Sequence, residues 1–270
     1  MRDHVRADLF PRSRVVGWLC GIAAVGLAWA LILTGGEMAM AAQGGLAIRW
    51  CGQACFVLEG EGFRVVTDPV PPTMGYPSLQ VEAELVTVSH EHFDHNHVAS
   101  VAGRPEVLRG LTDGGAGWAR IERKIGPVRV RTVPSYHDDV QGAQRGRNAI
   151  FVLEWQGLRL AHLGDLGHRL DREAVEAIGP VDVVMVPVGG FFTIDAAVAT
   201  EVVASLGPSI VIPMHYRTPA LGERLPIATV DAFLAGKPAV RRLPNQVTVS
   251  ADALPASPEI WVLEPPGVGG

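Results

Sequence analysis

From residue 46 onward, apolar and polar positions alternate in short runs that are broken by turn residues. Residues 46–50, 55–59 and 63–67 read as three strands of an antiparallel opening sheet, with Gly60 and Gly62 marking a hairpin between the last two. Asp68-Pro69 ends the third run, and the Pro/Gly loop 70–79 has no periodicity, which suits the border of a site. The run Leu85-Val86-Thr87-Val88 has the length of a buried strand. Further strands are predicted at 107–109, 128–133, 149–154, 158–163, 181–186, 209–212 and 259–264, and helices at 96–101, 113–123, 171–178, 195–206 and 229–234. Strands and helices alternate in both halves, so the pattern predicts a four-layer αββα sandwich in a single domain, of the α/β (α+β) class.

The first stretch follows a different pattern. Arg2, Arg6, Arg12 and Arg14 precede an uncharged apolar run over 15–33, and Ala39-Met40-Ala41 supplies a small-x-small site. This reads as a secretory signal over residues 1–41, with the working domain at 42–270 and an exported, periplasmic or extracellular product. The apolar run is also long enough to span a bilayer, so an uncleaved leader would anchor the protein through 15–33, facing outside the cytoplasm. Without residues 1–41 the body carries 19 basic and 25 acidic groups. Such a balance gives no reason to seek nucleic acid and favours a small-molecule substrate. Cys51 and Cys55 stand four apart, too far on a straight strand for a disulfide unless a turn at Gly52 brings them together; two small buried residues is the simpler reading.

Candidate chemistry is concentrated in Ser89-His90-Glu91-His92-Phe93-Asp94-His95, directly after an apolar strand. Three histidines and an aspartate in six positions can turn His90 and His92 toward one cation and Asp94 and His95 toward another about 3.5–4 Å away. Three more residues stand where predicted strands end: His137, Asp165 and His215. Chemistry then assigns His90, His92 and His137 to the first metal, and Asp94, His95 and His215 to the second, with Asp165 bridging both. Imidazoles and carboxylates without thiolate suit two zinc ions, with manganese or iron as substitutes. A bridging water, deprotonated near neutral pH, would be the nucleophile, and Asp94 would orient it.

The chain resembles the metallo-β-lactamase superfamily from about residue 46 to its end. His-x-His-x-Asp-His stands intact at 90–95, accompanied by Trp50-Cys51-Gly52-Gln53-Ala54, Thr67-Asp68-Pro69, Gly164-Asp165, residues 186–195 and Pro213-Met214-His215-Tyr216. Within the superfamily it looks most like the small metal-dependent hydrolases that include ascorbate-6-phosphate lactonase-like proteins. That resemblance implies an αββα fold with metals at the edge of two sheets and the same ligand assignment. Members that open β-lactams carry cysteine or serine in place of the bridging aspartate, so Asp165 argues against antibiotic hydrolysis. Two departures are Gln53, near which relatives commonly carry His, and Cys51, which replaces an aliphatic residue.

The resulting expectation is an exported hydrolase of a small ester, lactone or phosphoester. A mononuclear iron oxidoreductase resembling persulfide dioxygenases and a binding protein stapled by its metals stand as alternatives. Asp68 and Asp138 are candidates to orient ligand histidines. Tyr216 is a candidate oxyanion donor, and His168 a candidate substrate contact. Gly189-Gly190 could let substrate approach the backbone, with Phe191 and Phe192 forming an apolar wall and Thr193 or Asp195 capping the next helix.

Overall fold

In a computed structural model of the chain, residues 44–267 are described, and the leader predicted over 1–41 lies outside them. Two large mixed sheets form the frame of the described part, beside two small two-stranded sheets. The first has six strands in the order Gln246–Val249, Leu46–Gly52, Cys55–Gly60, Phe63–Thr67, Leu85–Val88 and Glu106–Arg109. The second has eight, in the order Glu122–Ile125, Val128–Tyr136, Arg147–Trp155, Leu158–His162, Val183–Pro187, Ile210–Met214, Glu259–Leu263 and Val240–Leu243.

Side-chain parity explains why the first sheet is covered on both faces. Phe56, Leu58, Val65 and Leu85 belong to one buried cluster with the second sheet, whereas their neighbours Cys55, Val57, Val66 and Val86 belong to another. That second cluster is closed by Val70, Met74, Tyr76 and Leu79 from the aperiodic loop and by Leu221 and Ile227, so loops rather than helices cover this face. The second sheet is covered by the helices Arg172–Ile178 and Ala196–Leu206, and its central parallel strands Val183–Pro187 and Ile210–Met214 are buried at every position. Strands sandwiched in this way need apolar residues on both faces, which is why they read as continuous hydrophobic runs.

Most of the predicted elements are present with shifted ends. The helix predicted over 113–123 is instead a single turn at Asp113–Gly115, a short strand Gly117–Trp118 and the edge strand Glu122–Ile125. Gly114 and Gly115 adopt positive φ there, and the Trp118 indole donates to the carbonyls of Ser135 and Asn148. Glycine at positive φ cannot continue a helix, and the tryptophan fixes the chain against the sheet instead. The helix predicted over 96–101 contracts to the turn Val98–Ser100. The strands Val240–Leu243 and Gln246–Val249 lie in a stretch without a clear sequence signal.

Candidate metal centre

Parallel pairing brings the chemistry to one edge. Phe63–Thr67 pairs in parallel with Leu85–Val88, so Asp68 and the loop starting at Ser89 emerge side by side. Leu158–His162, Val183–Pro187 and Ile210–Met214 also run parallel, which places Asp165 and His215 at the same end. His137 follows the long strand Val128–Tyr136. Ligands collected outside the carboxyl ends of parallel strands are a recurrent solution in layered folds.

The seven candidate ligands converge. Asp165 Oδ2 lies 3.1 Å from His137 Nε2, 3.2 Å from His95 Nε2, 3.3 Å from His215 Nε2 and 3.9 Å from His90 Nε2. His90, His92 and His137 offer ligand atoms within 4.8 Å of one another, and so do Asp94, His95 and His215. His92 is exposed at the mouth, whereas His90, His95, His137, Asp165 and His215 are buried.

Burial makes this cluster costly without a cation. His90 Nε2, His95 Nε2 and Asp165 Oδ1 are buried with no hydrogen-bond partner, and several imidazoles facing one carboxylate oxygen cannot all be satisfied by it. The donor set and its orphaned atoms therefore fit divalent metal. Burial drives the His90 imidazole well below its usual range, with the neighbouring His95 adding to it. Burial likewise lowers His92. Burial opposes charge on His95 and His215, but Asp165 overcomes it and raises both. Burial also opposes ionisation of Asp165, yet His215, His95 and His137 hold its carboxyl well below the ordinary carboxylate range. A neutral His90 beside an ionised Asp165 is the state in which both can coordinate.

Asp68 controls which imidazole nitrogens face inward. It is fully buried; its Oδ1 accepts the Ser89 backbone N–H at 2.8 Å, and its Oδ2 accepts the Ser89 hydroxyl at 2.5 Å and His95 Nδ1 at 3.0 Å. With its hydroxyl proton directed at Asp68, Ser89 Oγ is left to accept His90 Nδ1–H at 2.9 Å. One carboxylate thus keeps the protons of two imidazoles on Nδ1 and presents both Nε2 lone pairs to the cluster.

Other candidate positions fall elsewhere. Tyr216 is buried against Trp50, with ring centroids 5.1 Å apart, and lies outside the cavity over the cluster. Burial raises its phenol pKa, and the oxyanion-donor role is not supported by this position. His215 has φ 51; that backbone turn sends the two adjacent side chains apart. His168 lines a neighbouring cleft, where Nε2 accepts the Tyr136 backbone N–H at 3.1 Å, rather than the metal-centre cavity. Asp138 accepts four backbone N–H groups, from Val140, Gly142, Gln144 and Arg145, and so organises its own loop instead of a ligand histidine. Burial resists its ionisation, but those four donors lower its pKa. Gly189 faces the backbone of His215 rather than open space: a Cβ there would stand 2.3 Å from the His215 carbonyl oxygen. Asp195 is the helix cap, accepting the Val198 N–H at 2.9 Å. Cys51 and Cys55 are free buried thiols.

Three contributors had no assigned role in the sequence. Gln53 Nε2 donates to Asp94 Oδ2 at 3.2 Å and lies 3.3 Å from His215 Nε2. Asn148 accepts the Asp165 backbone N–H at 3.0 Å while donating to Ser135 Oγ and the Leu163 carbonyl. Ser89 relays Asp68 to His90. The polar Asn148 before the apolar run 149–153 was the visible signal for one of them.

Above the cluster opens a 480 Å³ cavity lined by Gln53, His92, Asp94, His137, Asp165 and His215 on its floor, and by Met74, Phe93, Arg145, Phe192 and Leu225 among its walls. A 530 Å³ depression at the opposite ends of the strands contains no histidine. Its Glu154 is occupied by Arg159 at 2.7 Å. Chemistry therefore selects the smaller cavity.

Two facing mixed sheets with a histidine and aspartate cluster at one edge define a metal-dependent hydrolase of the metallo-β-lactamase fold. The Beta-lactamase superfamily domain matches residues 47–215, and the chain belongs to this family. It is similar to a UPF0173 metal-dependent hydrolase of Thermococcus onnurineus, at 30% identity over 190 residues, covering 63% of this chain and 84% of that protein. It is also similar to a UPF0173 metal-dependent hydrolase of Pyrobaculum neutrophilum, at 29% identity over 234 residues, covering 77% and 99%. Among solved structures, a Thermotoga maritima protein assigned as a Zn-dependent hydrolase of the metallo-β-lactamase superfamily aligns with TM-score 0.65 and 35% identity, covering 81% of this chain and 98% of that one.

Proposed function

We propose that this metal-dependent hydrolase is exported and uses two divalent cations to cleave a small ester, lactone or phosphoester. The observation that supports two cations is the position of Asp165, whose Oδ2 lies within 3.1–3.3 Å of imidazoles from both three-residue groups. His90, His92 and His137 would hold one cation and Asp94, His95 and His215 the other, with Asp165 shared between them. Zinc is the assignment, and the same nitrogen and oxygen donors without thiolate also suit manganese or iron. When bound, such a pair supplies Lewis acidity and brings the ionisation of a water toward neutral pH.

The chain's own groups prepare the site for that chemistry. Asp68 and Ser89 fix the tautomers of His95 and His90. Gln53 holds the Asp94 carboxylate by an N–H bond, and Asp94 at the cavity floor is placed to orient a water for attack. Export rests on the leader pattern over residues 1–41.

The experiment is metal analysis and hydrolysis by full-length wild type, H92A and D165A across esters, lactones and phosphodiesters. Both variants are expected to keep their fold by circular dichroism and to lose metal and hydrolysis together. Full activity in either variant would overturn the mechanism.

A further inference from the structure

Arg145 is a guanidinium without an acidic partner at the wall of the metal cavity. Among the described residues it forms no ion pair, and its only side-chain hydrogen bond is a 3.5 Å contact to Gln144 Oε1. Its position is nevertheless built. Asp138 accepts the backbone N–H groups of Gln144 and Arg145 at 2.9 and 2.7 Å, and those of Val140 and Gly142 at 3.0 and 2.7 Å. Asp138, seven residues before Arg145, is thus consumed in shaping the loop that carries it, and Asp139, which lines the neighbouring cleft with Arg145, makes no ion pair with it among the described residues. A guanidinium held in place without a counter-ion is a ready acceptor for an anion.

Apolar groups surround it. The guanidinium carbon lies 5.9 Å from the ring centroids of both Phe191 and Phe192. Met74, Phe192 and Leu225 line the same cavity, and Phe93, also on its wall, is 65% exposed. Phe191, which lines the neighbouring cleft together with Arg145, is 61% exposed and has φ 60. A large aromatic side chain gains nothing from burial at that exposure, and an aromatic residue at positive φ carries backbone strain. Strain and exposure together mark a contact surface rather than core.

Resting on the hydrolase reading above, we infer that the substrate is an amphipathic monoanion, whose carboxylate pairs with Arg145 and whose apolar body lies against Phe93, Phe192, Met74 and Leu225. The metal cluster on the cavity floor then faces the scissile bond. One unpaired guanidinium balances one negative charge, which favours a carboxylate over a more highly charged head.

The test separates binding from turnover. Calorimetry on metal-replete, full-length protein compares 4-phenylbutyrate with its neutral primary amide, for wild type, R145A and R145K. Wild type should bind the carboxylate at least tenfold more tightly than the amide. R145A should weaken carboxylate binding 10- to 100-fold and leave the amide within threefold, while R145K recovers part of the loss and added salt narrows the difference. Unchanged carboxylate affinity in R145A would overturn the inference, because it would mean that the carboxylate sits on the metals. So would equal loss for both probes, which would mean that Arg145 serves only packing. A parallel assay of 4-nitrophenyl hemisuccinate and 4-nitrophenyl butyrate reads the hydrolase proposal itself. Absent hydrolysis with Arg145-dependent binding would sink the proposed ester activity and spare the substrate class.

Discussion

Replacing Asp68 separates a structural loss from an electronic one. In Asp68→Ala, the Ser89 N–H, the Ser89 hydroxyl and His95 Nδ1 all lose a buried acceptor. At about 1–3 kcal/mol per stranded group, with partial relaxation, the loss is about 3–5 kcal/mol. For a domain of this size that corresponds to a fall in Tm of roughly 6–20 °C. Asp68→Asn is isosteric, and the φ of 39 at this position suits asparagine, so little backbone strain is added. With its carbonyl toward the Ser89 N–H, the new amide group donates to Ser89 Oγ and to His95 Nδ1. His95 must then move its proton to Nε2. Ser89 Oγ, now an acceptor from Asn, donates to His90 Nδ1 and forces the same shift there. Both Nε2 lone pairs are lost to the cluster, and metal affinity should fall about 10- to 100-fold while Tm of the metal-free protein changes little. Chelator competition gives the affinity, and long-range ¹H–¹⁵N correlation spectra of the metal-free protein give the tautomers. Metal affinity of D68N within threefold of wild type, or the neutral His90 still protonated on Nδ1 in the metal-free variant, would refute the relay.

Two further outcomes follow from close packing and burial. In G167A the new Cβ would lie 2.2 Å from the His137 carbonyl carbon, so the chain must shift by about 1 Å, a displacement large enough to cost on the order of 100-fold in activity; retained metal stoichiometry with full turnover would show that His137 is not held by this contact. His162 is buried with Nε2 2.7 Å from the Ala54 carbonyl oxygen, and burial lowers its pKa below 6.5. The unfolded chain therefore binds more protons just below pH 6.5, so this stabilising contribution is complete above 6.5 and is lost as pH falls toward the folded value, at up to about 1.4 kcal/mol per pH unit. Urea midpoints of H162Q should depend less on pH between 7.5 and 5.5 than those of wild type, and identical dependence would remove the claim.

Much of the fold was legible because burial leaves a local trace. The strands at 63–67 and 85–88 coincide with apolar runs bounded by turn residues, and the ligand motif sits directly after one of them. What escaped depends on contacts distant in sequence. The stretch 113–123 has helical composition in part, but Trp118 answers to carbonyls 17 and 30 residues away. Asp138 stands beside a candidate ligand histidine in sequence, yet its oxygens turn toward the loop that follows. Tyr216 follows a candidate ligand whose positive φ directs the next side chain into the core. Chemical type and order named the metal cluster; the relay through Ser89, the Asn148 anchor of Asp165 and the free Arg145 required the packed chain.

The central claim is that two cations share Asp165, and anomalous diffraction from crystals of the metal-replete protein addresses it most directly. Data collected at the absorption edge of the bound metal should give two peaks about 3.5–4 Å apart, one beside His90, His92 and His137 and the other beside Asp94, His95 and His215, with Asp165 between them. A single peak at full loading, or a pair not joined through Asp165, would contradict the account.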